Sequence, residues 1–534
     1  MAARSDENPA RWRRPFIAWL DGIEKGWAVP LLLALFVAVW TAYLVIAYLG
    51  AALHPDVLET WTLGRRLEWG YPKHPPLMGW VARAWTSVFP LADWSLQLMA
   101  MVNAAVALWA VDLISRRFVA GEKRVIVLLL LMLLPVYQFH AQRFNANTVL
   151  LAIWPLATYC FLRAFEAPRR IGWAIAAGVA CAVAMLGKYY SIFLVASFVF
   201  AATVHPDRRR YLLSASPWIS TAAGLLTLGP HLHWLATTGA TPFDYALAHA
   251  GTDHATALRE VLYFIGGLIA AAGIAAVTWV FIAGERLARL PQDFRNLQPG
   301  LWLLSLVAIG TILFPAAVSL AVGTDLPSLW AVQGLFLLIV PIVCGTSYPI
   351  ERFYAVNLTV MVAGIALLAV VAAAPLHALY RHAYGYEEGR GFYRSAAHEL
   401  TTRWHDRTGI PLAAVSGDDA LAFAAAFYSP DHPRCVRPLA DQHTWSFFPR
   451  KIRLDRGWAA LCFADQPDCL NWMERTTARA SDFVRSEFDA RSTLLGKVGQ
   501  TRRVVMLIVP PRRDEKPPTP PDVEDFSSSR RSHD

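Results

Sequence analysis

From Ala28 to about Tyr384 the chain is a succession of apolar runs, separated by short loops rich in arginine. Nothing else in the sequence restricts its fold as much. A run of about 20 apolar residues crosses the hydrocarbon core of a bilayer as one helix, and lipid forces the backbone to satisfy its own hydrogen bonds. Composition agrees, with 55% hydrophobic and 17% charged residues, against about 25% charged in soluble domains. The expected fold class is mainly α, a polytopic membrane protein.

Hydropathy gives about eleven spans, centred near Phe36, Ala104, Leu131, Trp154, Ala177, Ala196, Leu225, Ala271, Leu306, Leu335 and Leu367. With the N-terminus inside, the inner loops carry Arg11, Arg13 and Arg14, then Arg116, Arg117, Lys123 and Arg124, then Arg169 and Arg170. Arg208, Arg209 and Arg210, then Arg286, Arg289 and Arg295, then Arg352 continue the series. This alternation is the positive-inside pattern. It requires the apolar stretch around Lys188 to cross twice. The net charge of +9 is therefore a topology signal and not a nucleic-acid footprint. The polar start leads into the first span without a small-residue cleavage site, so that span is expected to be retained.

An odd number of spans puts the C-terminus outside, in the periplasm of a Gram-negative cell. The expected organisation is a cytoplasmic segment over 1–27, a multi-span domain over 28–383 with its first outer loop at 50–93, and a small periplasmic α/β domain over 384–510. The tail 511–534, rich in Pro, Ser and charge, is expected to be disordered. Within the exported part, AAVSGDD and TRRVVMLIVP read as buried strands and SAAHELTTRWHDRTG as a helix. Cys160, Cys181 and Cys344 lie in spans. Of Cys435, Cys462 and Cys469, the last two are closest in sequence and could pair in an oxidising compartment.

The first outer loop, LHPDVLETWTLGRRLEWGYPKHPPLMGW, places Asp56, Glu59, Arg65, Arg66, Glu68, Lys73 and His74 within twenty residues beside the spans. Pro55 fixes the backbone before Asp56, and Glu59 falls on the same face if a helix starts there. The spacing through VLETWTLGRRLEW predicts a helix lying along the membrane surface, broken by Pro75 and Pro76. Asp56 reads either as a catalytic base or as a solvated loop acid, and Glu59 either as a second functional acid or as a structural partner of Lys73 or Arg65.

Asp56 followed by GYPKHPPL (Gly70 to Leu77), HAQRFNANTVLLAIWPL (His140 to Leu156) and GKYY (Gly187 to Tyr190) resemble the glycosyltransferase 39 group. That group comprises lipid-linked-sugar transferases of multi-span GT-C architecture, including the protein O-mannosyltransferases and the aminoarabinose transferases of lipid A. The resemblance runs from about Trp40 through the last span and implies an inverting enzyme. Such an enzyme moves a sugar from a polyprenyl phosphate to an envelope acceptor at the periplasmic face of the inner membrane. Two departures stand out. Many members carry adjacent Asp-Glu, whereas Val57 follows Asp56 here. Some carry a second acid before the fourth span, where this chain has Asn145 and Asn147.

Such chemistry needs a carboxylate to take the acceptor's hydroxyl proton and cations to receive the departing phosphate. Asp56, with Glu59, is the expected acid. Lys73, Arg143 and Lys188 fall at outer span edges and are the expected phosphate ligands, although lysines there also serve as interface anchors. His74 reads more simply as a loop-capping residue. Asp253 and His254, near His249, offer a weaker acceptor wall or metal site. No metal and no cofactor are expected, and the partners are the lipid-linked donor, a glycolipid acceptor such as lipid A or lipopolysaccharide core, and the membrane. The alternatives are a protein O-glycosyltransferase and a transporter or lipid flippase. A transporter would carry mid-span charges, whereas here the functional-looking residues gather at one face.

Overall fold

In the computed structural model, residues 11–71, 73–238, 254–436, 456–478 and 482–511 are described. They fall into two compact units that divide between Gly391 and Phe392, with Ser492–Gln500 belonging to the first. The tail beyond 511 and Asp253 lie outside the described residues.

The first unit is helical. After α1 (Arg14–Asp21) come α2 (Ala28–Ala47), α3 (Pro55–Gly64), α4 (Leu77–Thr86), α5 (Asp93–Ser115), α6 (Glu122–Met132), α7 (Leu150–Glu166), α8 (Ile171–Gly187) and α9 (Ile192–Val204). The short α10 (Arg208–Leu212) leads to α11 (Ser216–Thr238), α12 (His254–Ala283), α13 (Leu290–Arg295), α14 (Pro299–Val322), α15 (Phe336–Cys344) and α16 (Arg352–Leu368). A π turn at Ala369–Ala373 joins α16 to α17 (Ala374–Tyr384). Ten of the eleven expected span centres fall inside a helix, and Leu335 sits just before α15. Among the described residues, five runs are long and apolar enough to cross a membrane, and shorter apolar helices accompany them.

The stretch around Lys188 does break in two. α8 stops at Gly187, Lys188 takes an extended backbone, and a 3-10 turn at Tyr189–Ser191 starts α9. α8 packs against α7 and α11. A Cβ on Gly178 of α8 would stand 2.0 Å from the Ser220 carbonyl of α11, the close approach that small residues permit between membrane helices.

The first outer loop folds as α3, a bend and α4. The amphipathic spacing extends to Trp69, yet α3 ends at Gly64. There α3 meets α4 so closely that a Cβ on Gly64 would lie 2.3 Å from the Gly79 carbonyl. The bend between them is closed by its own groups. Tyr71 Oη donates to the Arg66 carbonyl at 3.0 Å, Trp80 Nε1 to the Glu68 carbonyl at 2.9 Å, and the Tyr71 amide to the His74 carbonyl at 2.9 Å.

The second unit is α/β. α18 (Tyr393–Thr408), α19 (Asp419–Tyr428) and α20 (Pro467–Thr477) accompany strands β1 (Ala414–Gly417), β2 (Arg434–Cys435), β3 (Trp458–Phe463), β4 (Val484–Leu494) and β5 (Lys497–Val509), in sheet order β2-β1-β3-β5-β4, with the β4–β5 tip Ser492–Gln500 counted in the first unit. β1 is parallel to β2 and β3, and β3 is antiparallel to β5. The expected strands are β1 and β5, and the expected helix is α18. Ala414, Trp458, Ala460, Met473, Val505 and Leu507 form its core. Cys462 and Cys469 are disulfide-bonded, while Cys435 is buried and its thiol donates to the Ala422 carbonyl at 3.4 Å.

Candidate active site

Asp56 stands in the first turn of α3. Pro55 opens the helix, where its missing N–H costs nothing. His54 is the N-cap, with its Nδ1 accepting the Asp56 amide at 3.2 Å. A carboxylate at this end of a helix is favoured by the helix dipole. The Asp56 side chain is 37% exposed, so it is held on one side and open on the other.

The holding side comes from the loop before α7. Thr60 of α3 donates to the Phe144 carbonyl at 3.1 Å, which sets that loop against the helix. The next residue, Asn145, donates from Nδ2 to Asp56 Oδ2 at 2.7 Å. Asn145 Oδ1 accepts the Asn147 and Thr148 amides at 2.8 and 3.1 Å. Asn147 Oδ1 in turn accepts from Lys188 Nζ at 2.5 Å, and that ammonium lies 4.1 Å from the centre of the Trp330 ring.

The three expected cations share a neighbourhood. Burial, then Lys73 and Lys188, hold His74 neutral, well below its usual range. Burial, then Arg143 and Lys188, lower His140 to about 4. Lys188 itself, in the break between α8 and α9, is lowered to about 7 by burial and by Lys73. Positive charges crowded this way favour an anion among them. Arg143 also pairs with Glu387 at 3.3 Å. The His74 carbonyl closes the bend by accepting the Tyr71 amide.

Glu59 lies one turn beyond Asp56 on α3 and is partly buried. Asp253 is outside the described residues. His254 begins α12, and its side chain is not among those described. Among the described residues, no group of three His, Cys, Asp or Glu is placed to hold a metal ion.

Several residues that sequence reasoning did not single out meet at the same place. Glu387, Glu388 and Arg390 follow α17 and belong to the first unit. Glu388 has a left-handed backbone, φ 57°, which costs energy in a residue other than glycine. Its carboxyl lies 3.8 Å from His54 Nε2. Its pKa is raised by burial and then by the charge of Asp56, against the pull of Arg143 and Arg390. Arg390 is buried. Its Nε and one Nη donate to the Ala52 carbonyl at 3.0 and 2.9 Å, and its guanidinium stacks over Tyr48. His231 of α11 is a third case. A carbonyl can only accept, so the proton is on Nδ1, donated to Trp69 O at 2.6 Å, and Nε2 accepts from Tyr189 Oη at 3.0 Å. That histidine joins Trp69, the residue just before GYPKHPPL, to Tyr189 of GKYY, over a hundred residues away.

His54 is 7% exposed and lowered to about 3 by burial, then by Arg390, Arg143 and His140. Because the folded pKa lies below the unfolded value, the unfolded chain binds the proton first, and stability is lost as pH falls below about 6.5. The melting temperature of the detergent-purified protein should drop between pH 6 and 4, at a cost of up to about 1.4 kcal/mol per pH unit from this residue. Glu388 acts in the opposite sense. His54→Asn, which keeps a capping side chain, should flatten the acid slope, and an unchanged slope would assign it to other groups.

A family model for dolichyl-phosphate-mannose-protein mannosyltransferases matches residues 73–234. That span holds Lys73, Arg143, Asn145, Asn147, Lys188 and His231, but not Asp56. No curated protein matches the chain in sequence. Among solved structures, ArnT from Cupriavidus metallidurans bound to undecaprenyl phosphate is similar, with a TM-score of 0.57 and 17% identity over 90% of this chain and 98% of that one. The apo form of the same ArnT gives a TM-score of 0.57 and 16% identity over the same shares. The family model covers 162 of the chain's 534 residues and the likeness to ArnT nearly its whole length, so the chain has the ArnT-like GT-C fold of a multi-pass membrane protein.

Proposed function

We propose that this chain is a glycosyltransferase that moves a sugar from a polyprenyl phosphate to an envelope glycolipid at the periplasmic face of the inner membrane, with inversion at the anomeric carbon. The observation that carries the reading is one half-exposed acid, Asp56, beside a neighbourhood of cations made by Lys73, Arg143 and Lys188. The likeness to an ArnT crystallised with undecaprenyl phosphate supports a lipid-linked donor.

In the reaction, the acceptor oxygen forms a bond to the anomeric carbon as the bond from that carbon to the phosphate oxygen breaks. Asp56 receives the hydroxyl proton. The electron pair leaves with the polyprenyl phosphate, whose growing negative charge is met by Lys73, Lys188 and Arg143. Lys188, lowered to about 7 by burial and by Lys73, is favoured in its charged form by a phosphate beside it. Glu59 is a further acid of the same helix face.

Mass spectrometry of envelope glycolipids from cells with and without the chain tests this reading. A glycolipid heavier by one sugar, present only with the chain and lost in Lys188→Met, is the expected result. A sugar found on proteins and on no lipid would make the chain a protein O-glycosyltransferase instead. Substrate crossing proteoliposomes without a glycosidic product would make it a transporter.

A further inference from the structure

The loop before α7 holds two amides where some relatives carry an acid, and the side-chain oxygen of each accepts a hydrogen bond. Asn145 Oδ1 is occupied by two backbone amides. Its Nδ2 is thereby turned to Asp56 Oδ2, and the other oxygen of Asp56 is left for a hydroxyl. Asn147 Oδ1 takes the Lys188 ammonium. A neutral acceptor holds an ammonium less tightly than a carboxylate would.

We propose that Asn145 and Asn147 are positioning residues with separate duties. Asn145 aims Asp56 by holding its Oδ2. Asn147 parks Lys188 where the donor phosphate can take it over. The inference rests on Asp56 being the base and on Lys188 being a phosphate ligand, and it adds what sets each of them.

Charge decides why amides suit these positions. Asp56 is faced by His54 from its own segment and by Glu388 from the segment after α17, and these two are in turn faced by Arg143 and Arg390, with His140 beside His54 and Glu59 one turn along α3. Glu388 is already one carboxylate in that set. A further one at position 145, at hydrogen-bond distance, would leave two acids sharing one proton near neutral pH. At position 147, a carboxylate would give Lys188 a permanent counterion in competition with phosphate.

Two readouts on the full chain separate these duties. One is the fraction of mass-shifted glycolipid in cells, followed against the pH of the medium, to which the periplasm equilibrates. The other is the affinity of purified protein for undecaprenyl phosphate, read by tryptophan fluorescence. Asn145→Asp keeps the oxygen that caps the two backbone amides and so keeps the turn. It should move the acid limb of the pH profile upward by about one unit or more, a tenfold loss at the original limb, with affinity unchanged within about twofold. Asn147→Asp should weaken undecaprenyl phosphate binding about tenfold and leave the acid limb where it was. An unmoved limb in Asn145→Asp, or both variants changing both readouts alike, overturns the proposal. If Asn145→Asp does not purify folded, the Asn147→Asp arm decides alone. Asp56→Asn in the same cells tells the two levels apart. Wild-type modification there sinks the assignment of the base, whereas its loss beside an unmoved limb in Asn145→Asp sinks only this inference.

Discussion

Asp56→Asn should reduce sugar transfer by about a thousandfold or more, toward the upper range for loss of a general base, while the protein still folds. The amide is isosteric and cannot accept a proton from the hydroxyl. The helix start survives, because the cap is made by His54 Nδ1 and the backbone amide of residue 56. The neighbouring Asn145 amide can still meet an oxygen of the new side chain. Transfer into the glycolipid fraction, normalised to protein level and melting temperature, checks the expectation. Undecaprenyl phosphate affinity should stay within a few-fold of wild type, since the cations are untouched. Transfer at the wild-type rate would remove Asp56 from the chemistry and leave Glu388 as the next acid to examine.

The second large effect concerns stability. Asp112, on α5, accepts from Arg124 Nε at 2.5 Å and Nη2 at 2.7 Å, with the carboxylate 3% and the guanidinium 13% exposed. Removing one member of such a pair strands the other charge in a poorly solvated place, at a cost of about 3–5 kcal/mol. Asp112→Ala should therefore lower the melting temperature sharply or prevent recovery of folded protein. The double variant Asp112→Leu with Arg124→Leu should regain most of the loss, because an apolar pair of similar volume replaces a buried ion pair at little net cost. A single variant within 1 kcal/mol of wild type would mean that water reaches the pair. Neither variant should change the pH profile of transfer, which separates this site from the Asp56 network.

Helices were legible because lipid and the hydrophobic effect impose them locally. Apolar length alone located α2, α5, α12 and α14, and the turn at Lys188 was required by the alternation of arginines. The α/β character of the second unit was visible in runs such as TRRVVMLIVP, and the Cys462–Cys469 bond in sequence proximity. Where α3 ends was not legible. The amphipathic spacing is a property of one segment, whereas the stop at Gly64 is set by Gly79 on another helix. The candidate site was half legible. A charged loop advertises Asp56 and Lys73, but Glu388 and Arg390 reach it from more than three hundred residues away, and their charges look ordinary in a polar stretch. Asn145 and Asn147 read as missing acids. Their worth lies in hydrogen-bond direction, which composition does not encode. Nothing in the sequence marks His231, whose place is set by hydrogen bonds to Trp69 and Tyr189 from two distant segments.

The Arg390 clamp on Ala52 bears on how such a chain can be taken apart. A chimera joined at Tyr384, the natural-looking seam where span composition gives way to soluble composition, would exchange the guanidinium that grips the backbone two residues ahead of His54. The recipient bundle would then receive an anchor shaped for someone else's loop. Grafts between relatives should be cut after Gly391, so that the segment following the last helix travels with the helices it fastens.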